Sequence, residues 1–280
     1  MPISSVSLSS SARTSLYALQ QTSTLLNITQ TRLSTGKKVA SSSDGAAAYF
    51  ASAGFLNRAN DLTNIKDSLS TSLATVKSAS TAIDSITALV QQAQGLTTSA
   101  LQTTDVDTRS GLAVQFNDLL VQVNSLVNDA TFNGTNLVGQ TGVSLVVYFN
   151  ESNTSKLTIT NTNLTINTTS GLSIAVAASG FISDSNINTA VSQLTTALSK
   201  LRTASSSFGN NTTIITTRQD FTTNLINNLQ TASDSLVLAD TNEEGANLLV
   251  LQARNSLGIT ALGISGQLAQ SVLKLFGTSV

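Results

Sequence analysis

The chain has no cysteine and no histidine among its 280 residues. Without these side chains it lacks disulfide bonds, the usual zinc ligands, a thiol nucleophile and the histidine base of a catalytic triad. Glu243 and Glu244 are the only adjacent carboxylates, and solvated charges in a linker explain them better than acid and base catalysis. No glycine-rich nucleotide-binding motif follows a predicted strand. The sequence therefore predicts that the protein is not an enzyme, and it predicts no catalytic residue, metal site or cofactor.

Proline, charge and aromatic residues are also scarce. The only proline is Pro2, charged residues make up 10% of the chain and aromatic residues 4%, whereas 40% of the chain is hydrophobic. Regularly spaced aliphatic residues in a chain so poor in proline favour long helices over disorder. The net charge is −1, and no basic run is present, which excludes the electrostatic footprint of a protein that binds nucleic acid.

Long apolar runs are missing as well. No window approaches the roughly 18 unbroken apolar residues of a membrane-spanning helix. The N-terminal segment shows no positive stretch followed by an apolar core, so no cleavable secretory signal is expected. A type III translocator that inserts amphipathic helices into membranes is one alternative, but it would need a longer apolar run or a cationic helix face. We therefore expect no membrane insertion.

The last helical segment, residues 248–276, carries two rows of apolar residues at heptad spacing. One row consists of Leu251, Gly258, Leu262, Ala269, Val272 and Phe276, and the second of Leu257, Ala261, Ile264, Leu268 and Leu275. Two apolar faces need two partners. The N-terminal helix supplies one of them, and we expect other copies of the protein to cover the second. The predicted subunit-contact residues are Leu16, Leu19, Leu26, Leu33, Leu251, Leu257, Leu262, Ile264, Leu268, Val272, Leu275 and Phe276.

Glycines interrupt this terminal helix at Gly258, Gly263 and Gly266. Each lowers helix stability by about 1 kcal/mol relative to alanine. Close approach of another helix would explain them, and so would a tail that folds only when it docks.

Between the two tails, three helical patterns predict an antiparallel, coiled-coil-like rod. The first would run over residues 58–99 for roughly 60 Å, and Asp105 or Asp107 is expected to cap the next. A third begins at Ser185 or Asn186, with a possible kink after Gly209. The predicted seam residues are Leu62, Ile65, Leu69, Val76, Ile83, Ile86, Leu112, Phe116, Leu119, Val123, Leu194, Leu198, Leu201 and Phe208.

The periodicity changes at Asn133 and Gly134, the strongest short signal for a hairpin turn. From residue 143 to 177, short β-branched runs separated by turn residues predict three or four strands. The expected fold is mainly α, an elongated antiparallel helical rod with paired terminal helices and a small β-rich outer insertion. Its expected domains are the terminal helices (1–44 and 240–280), the rod (45–138 and 186–239) and the insertion (139–185).

Several of these segments resemble bacterial flagellins. They are Arg32 to Gly36 followed by Ser42 to Ala47, the turn from Thr131 to Leu137, and Leu257 to Ile259 with Gln270 to Phe276. The resemblance covers about residues 1–138 and 186–280. It implies a homopolymer in the extracellular flagellar filament, whose subunits serve swimming motility. In flagellins the paired termini form the innermost tube, the rod packs around it, and the middle insertion faces outward.

The resemblance also implies partners beyond other copies. The subunit would be exported unfolded by the flagellar type III apparatus with an export chaperone, and would assemble under a filament cap beside hook-associated proteins. A hook-filament junction protein with the same terminal architecture is the alternative. The stretch from Leu89 to Leu96 lacks the arginines and glutamate that an innate immune receptor recognises in stimulatory flagellins, so weak receptor activation is predicted. Serine and threonine hydroxyls between residues 150 and 171 are candidate glycosylation sites.

Overall fold

The computed structural model describes residues 10–140, 143–167 and 169–276, with side chains described as far as Ser271. Five long helices contain most of these residues: α1 (Ser10–Thr35), α2 (Ser42–Leu101), α3 (Val106–Asp129), α4 (Asp184–Val237) and α5 (Thr241–Phe276). Four short strands lie between α3 and α4: β1 (Thr131–Phe132), β2 (Thr135–Asn136), β3 (Leu145–Tyr148) and β4 (Lys156–Ile159). The mainly helical fold class with a small β-rich insertion is confirmed. Within the described residues, no helix combines the length and the apolar character needed to cross a membrane.

The chain divides into two compact units. The terminal unit consists of Met1–Asn57 and Leu229–Val280, and the central unit is Arg58–Asn228. Residues 45–57 and 229–239, which the sequence predicts as rod, are in the terminal unit.

In the terminal unit, the two linkers that join the terminal helices to α2 and α4 pair with each other. α1 ends at Thr35, and the next residue, Gly36, has a φ of +68°, a left-handed conformation that glycine adopts without strain. The Lys38 N–H donates to the Val237 carbonyl at 2.8 Å, and the Ala239 N–H donates to the Gly36 carbonyl at 3.0 Å. These backbone bonds hold the two linkers side by side.

A buried hydroxyl pair also joins α2 and α4 within the terminal unit. The Oγ atoms of Ser52 and Ser233 are 2.7 Å apart, and both residues are buried. Each hydroxyl therefore satisfies the other where water cannot reach it. The heptad pattern of the sequence places Ser233 at a polar seam position, whereas Ser52 has no such signal.

The core of the central unit is built from α2, α3, α4 and the insertion. Its largest buried side chains include Phe116, Phe181 and Phe208, and the rings of Phe116 and Phe181 pack edge to face with centroids 5.2 Å apart. Most of the predicted seam residues are buried. The half-buried ones are Ile65, Leu112 and Leu119.

On α3 the fully buried side chains are not all the predicted ones. Phe116 and Val123 are buried as expected, but Ala113, Leu120 and Val127 are the other buried apolar residues of this helix. They directly follow Leu112, Leu119 and Leu126, which remain half-buried at the edge of the core.

The start of α3 is held by two side chains. Asp105 is the N-cap, and its carboxylate accepts a hydrogen bond from the Thr108 N–H at 2.8 Å. Hydrogen bonds from the Thr108 hydroxyl and then from its backbone N–H lower the pKa of Asp105. The predicted capping position is therefore confirmed for Asp105.

α4 continues as one helix through Gly209, without the kink that the sequence suggested.

The turn at Asn133 and Gly134 forms the predicted hairpin between β1 and β2, and both residues have positive φ angles of 48° and 75°. The prediction of three or four strands over residues 143–177 was wrong. Within the described part of that stretch only β3 and β4 form, as an antiparallel pair. The segments 164–167 and 172–176 are not strands.

The physical reason is that helix side chains take the backbone hydrogen bonds of these segments. The Asn124 side chain accepts from the Ile166 N–H at 2.8 Å, and the Gln193 side chain accepts from the Ala175 N–H at 3.0 Å. Leu164, Leu172 and Ile174 are buried in the helical core. Burial against helices thus accounts for the strand-like apolar pattern of these segments.

Candidate functional site

The paired helices α1 and α5 of the terminal unit form the candidate site. The first apolar row of α5 faces α1: Leu251 is buried and Leu262 half-buried. From α1, Ala12 and Thr29 are buried, and the half-buried predicted contacts are Leu16, Leu19, Leu26 and Leu33.

Gly258 lies at a close contact between the two helices. A Cβ atom at this position would be 2.9 Å from the Cδ1 atom of Leu19. By contrast, a Cβ at Gly263 or Gly266 would meet no atom within 4 Å. Close helix approach therefore accounts for Gly258 within one copy, but not for the other two glycines.

The second apolar row of α5 is exposed as far as Leu268, its last described side chain. Leu257, Ile264 and Leu268 have 69%, 53% and 62% of their surface accessible. At about 100° per residue these positions share one side of the helix, roughly 120° around from the row that faces α1. Val250, which was not predicted, lies seven residues before Leu257 and is also exposed. We refer to Val250, Leu257, Ile264 and Leu268 as the outer row.

Helix α1 adds exposed apolar side chains of its own. Tyr17, Leu25 and Ile28 are exposed although their neighbours on the α5-facing side are covered. Tyr17 and Leu25 line a shallow surface hollow of about 370 Å³ together with Gln20, Gln21 and Thr24. The side chains of Val272, Leu275 and Phe276, three of the predicted contacts, lie outside the described residues.

The charges near the linkers are partly paired within one copy. Arg32 donates to a carboxylate oxygen of Glu244 at 2.9 Å, and Glu244 is buried. The Lys38 ammonium donates to the Ser235 carbonyl at 3.2 Å. Asp44 accepts hydrogen bonds from the hydroxyl and the backbone N–H of Ser41, which lower its pKa. These contacts hold the terminal unit together and leave its apolar outer row uncovered.

Residues 3–142 match the family model described as the bacterial flagellin N-terminal helical region. The chain belongs to the bacterial flagellins. This flagellin is 31% identical over 284 residues to flagellin FljO of Caulobacter vibrioides, and the match covers 99% of this chain and 100% of that relative. It is 29% identical over 287 residues to a flagellin of Brucella melitensis, covering 98% of this chain and 99% of that relative. It is also similar to the crystal structure of Bacillus cereus flagellin, with a TM-score of 0.49, 14% identity, and coverage of 55% of this chain and 88% of that one.

The resemblance found in the sequence is thereby confirmed. This flagellin is a structural subunit of the bacterial flagellar filament, a filament that lies outside the cell. None of these similarities favours a hook-filament junction protein.

Proposed function

We propose that copies of this flagellin contact one another in the filament through the outer row of α5 and the exposed apolar residues of α1. In this contact each copy covers apolar side chains of its neighbour. The observation that carries the proposal is that Leu257, Ile264 and Leu268 are exposed, whereas Leu251 of the other α5 row is buried and Leu262 is half-buried on the side that faces α1. The four aliphatic side chains of the outer row expose more apolar surface along one side of α5 than a solvent-facing helix ordinarily does.

The size of the contact follows from the exposed fractions. Full burial of a leucine or isoleucine side chain stabilises by about 1.5–3 kcal/mol. Leu257, Ile264 and Leu268 are between 53% and 69% exposed, so each has about 1–2 kcal/mol still to gain. Together they supply about 3–6 kcal/mol per copy, before the entropy lost on association is subtracted.

The test replaces Leu257 with glutamine, which has a helix propensity close to that of leucine. We expect L257Q to leave the circular dichroism and thermal unfolding of the monomer unchanged. Its critical concentration for polymerisation, measured by sedimentation, should rise about 5- to 30-fold. L249Q is the matched control, because Leu249 is also 69% exposed and lies on α5 outside the outer row. Equal effects of L257Q and L249Q, or none from L257Q, would contradict the proposal.

The wider arrangement follows the family. The terminal helices (1–44 and 240–280) would form the inner core of the filament, the helical region (45–138 and 186–239) would pack around them, and the insertion (139–185) would face outward.

Export as an unfolded chain through the flagellar type III apparatus would involve an export chaperone, the filament cap and hook-associated proteins as partners. Gly263 and Gly266 support this, since they weaken α5 without making any close contact in the folded copy. Loss of secretion in cells without the export apparatus is the expected result.

Two further properties belong to this proposal. The protein is expected to have no catalytic activity, since it has no histidine and no cysteine. Weak activation of the innate immune receptor is expected from the stretch Leu89 to Leu96, and a full response of receptor-bearing reporter cells to purified monomer would contradict it.

A further inference from the structure

Helix α3 presents an acidic face to solvent. Asp107, Asp118 and Asp129 follow each other at eleven-residue intervals, and each interval brings the chain back to within about 20° of the same side of the helix. All three are exposed, whereas Arg109, the only cation of α3, is buried. The exposed surface of α3 therefore carries negative charge alone.

Helix α4 presents a basic face. Lys200 and Arg218 are eighteen residues apart, which is about five full turns, so they project from the same side. Both are exposed. Arg202 and Asp220 lie on the opposite side of α4 and are about 27 Å apart along the helix, so that side carries one charge of each sign.

The two faces share an arrangement of apolar and charged side chains. On α3 the order Val114, Asp118, Val121 has i, i+4, i+7 spacing, and on α4 the order Ile214, Arg218, Phe221 has the same spacing. The four apolar side chains are exposed, and three of them are more than half accessible. Each face thus offers apolar contact on both sides of a charge, with opposite signs on the two helices.

Within the part of the chain that the structure describes, the charges on both faces form no ion pair. The ion pairs formed among the described residues involve none of the three aspartates of α3, nor Lys200 or Arg218. The Arg218 guanidinium stacks over the Phe149 ring at 5.0 Å, and the Lys200 ammonium donates to the Gly171 carbonyl at 2.8 Å. These contacts orient the two cations but do not neutralise them.

The direction of the helices also suits a contact between copies. Arg109, in the first turn of α3, bonds to Asp184, the first residue of α4. Both helices therefore begin at the same end of the central unit. About two turns farther along each helix, Asn117 of α3 accepts from the Ala177 N–H and Gln193 of α4 accepts from the Ala175 N–H, so the two helices also run in the same direction. Copies shifted along that direction keep α3 of one copy parallel to α4 of the next.

We propose that the acidic face of α3 on one copy docks against the basic face of α4 on the next copy. This inference rests on the proposed function, in which copies of this flagellin bury one another in the filament. The two faces are different surfaces of one molecule, so the contact is heterologous and every bound copy leaves both kinds of face available at the growing assembly. Such contacts generate open helical polymers. Opposite charge selects the correct pair of faces and disfavours contact between two like faces.

Charge reversal tests this pairing. D118K/D129K makes both faces of a copy positive, and K200E/R218E makes both faces negative. Because each variant then presents like charges to itself, we expect its critical concentration to rise about tenfold or more. An equimolar mixture should polymerise near the wild-type critical concentration as an alternating copolymer, since positive and negative faces then meet at every contact.

The mixture also controls for damage to the individual copy. K200E/R218E loses the contacts to Phe149 and Gly171, and a folding defect caused by that loss would not be repaired by adding D118K/D129K. The matched control is R202E/D220K, which exchanges charges on the opposite side of α4 and should polymerise like wild type. Thermal unfolding of each monomer is followed alongside.

The outcomes separate this inference from the proposed function. If either reversed variant polymerises alone like wild type, or if the mixture assembles no better than the two variants separately, the pairing of these faces is wrong. The outer row of α5 would still stand if L257Q is defective. If wild-type protein does not polymerise at all, the proposed function and this inference are both overturned.

Discussion

Arg109 is the buried cation of α3, and it offers a test of how the first turn of that helix is held. Its Nε donates to the carbonyl oxygens of Ala100 at 3.1 Å and Thr103 at 2.7 Å. Its Nη1 donates to the Ile182 carbonyl at 3.1 Å, and its Nη2 donates to Asp184 at 2.5 Å. One guanidinium therefore joins the end of α2, the turn before α3 and the start of α4.

The two kinds of contact should differ in energy. The Asp184 side chain is 68% exposed, so its ion pair with Arg109 is screened by solvent and contributes about 0–1 kcal/mol. Removing the guanidinium takes the donor from the carbonyl oxygens of Ala100, which is buried, Thr103, which is half-buried, and Ile182, which is exposed. An unsatisfied buried acceptor costs about 1–3 kcal/mol, and an acceptor that water can reach costs less. We therefore expect R109A to lower the free energy of unfolding by about 2–4 kcal/mol and D184N by less than about 1 kcal/mol.

The assay is urea unfolding of monomer followed by circular dichroism, at a concentration below that needed for polymerisation. R109K serves as the control for charge, because a lysine keeps the cation but cannot reach several carbonyl oxygens from one planar group. R109K should be nearly as unstable as R109A. If R109K is as stable as wild type, or if D184N is as damaging as R109A, then the ion pair rather than the set of carbonyl contacts holds this turn.

Three further predictions concern stability. G171A should lower the unfolding free energy by more than about 2 kcal/mol, because Gly171 has a φ of +66° and a Cβ there would lie 2.2 Å from a backbone oxygen. G263A is the control and should not destabilise the protein, because its added Cβ meets nothing within 4 Å. S52A should cost about 1–3 kcal/mol by leaving the Ser233 hydroxyl unsatisfied, and S52A/S233A should recover part of that loss in a double-mutant cycle. The pKa of Asp105 is lowered by hydrogen bonds in the folded state. The stability that Asp105 adds relative to D105N should therefore be present above the pKa of an unfolded aspartate and lost as the pH falls through the folded pKa. A difference in thermal stability between the two proteins that does not change with pH would contradict this.

The helices and their turns could be predicted because their signals are local. Gly36 ends α1, Asp105 caps α3, and Asn133 with Gly134 makes the hairpin turn, each through the conformational or hydrogen-bonding preference of one residue type. The two rows of α5 were also visible in the sequence, because heptad spacing alone determines which residues share a side.

The side chains that depend on distant parts of the chain could not be predicted. On α3 two adjacent apolar rows have the same period, and Leu119 and Leu120 differ only in which one the rest of the core covers. Residues 164–176 have a strand-like apolar pattern, but whether side chains such as Asn124 compete for the backbone depends on tertiary packing. Arg109 was missed because a lone cation in an amphipathic helix is ordinarily exposed.

Salt separates the two contacts proposed for the filament, because one is apolar and the other is charged. Raising sodium chloride from about 0.1 M to 1 M shortens the Debye length from about 10 Å to 3 Å. Repulsion between like faces of α3 and α4 should then weaken, so the critical concentrations of D118K/D129K and wild type should converge. The defect of L257Q should persist, because the burial of an aliphatic side chain does not depend on screening. A salt-dependent defect in L257Q together with a salt-independent one in D118K/D129K would show that the two surfaces have been assigned the wrong chemistry.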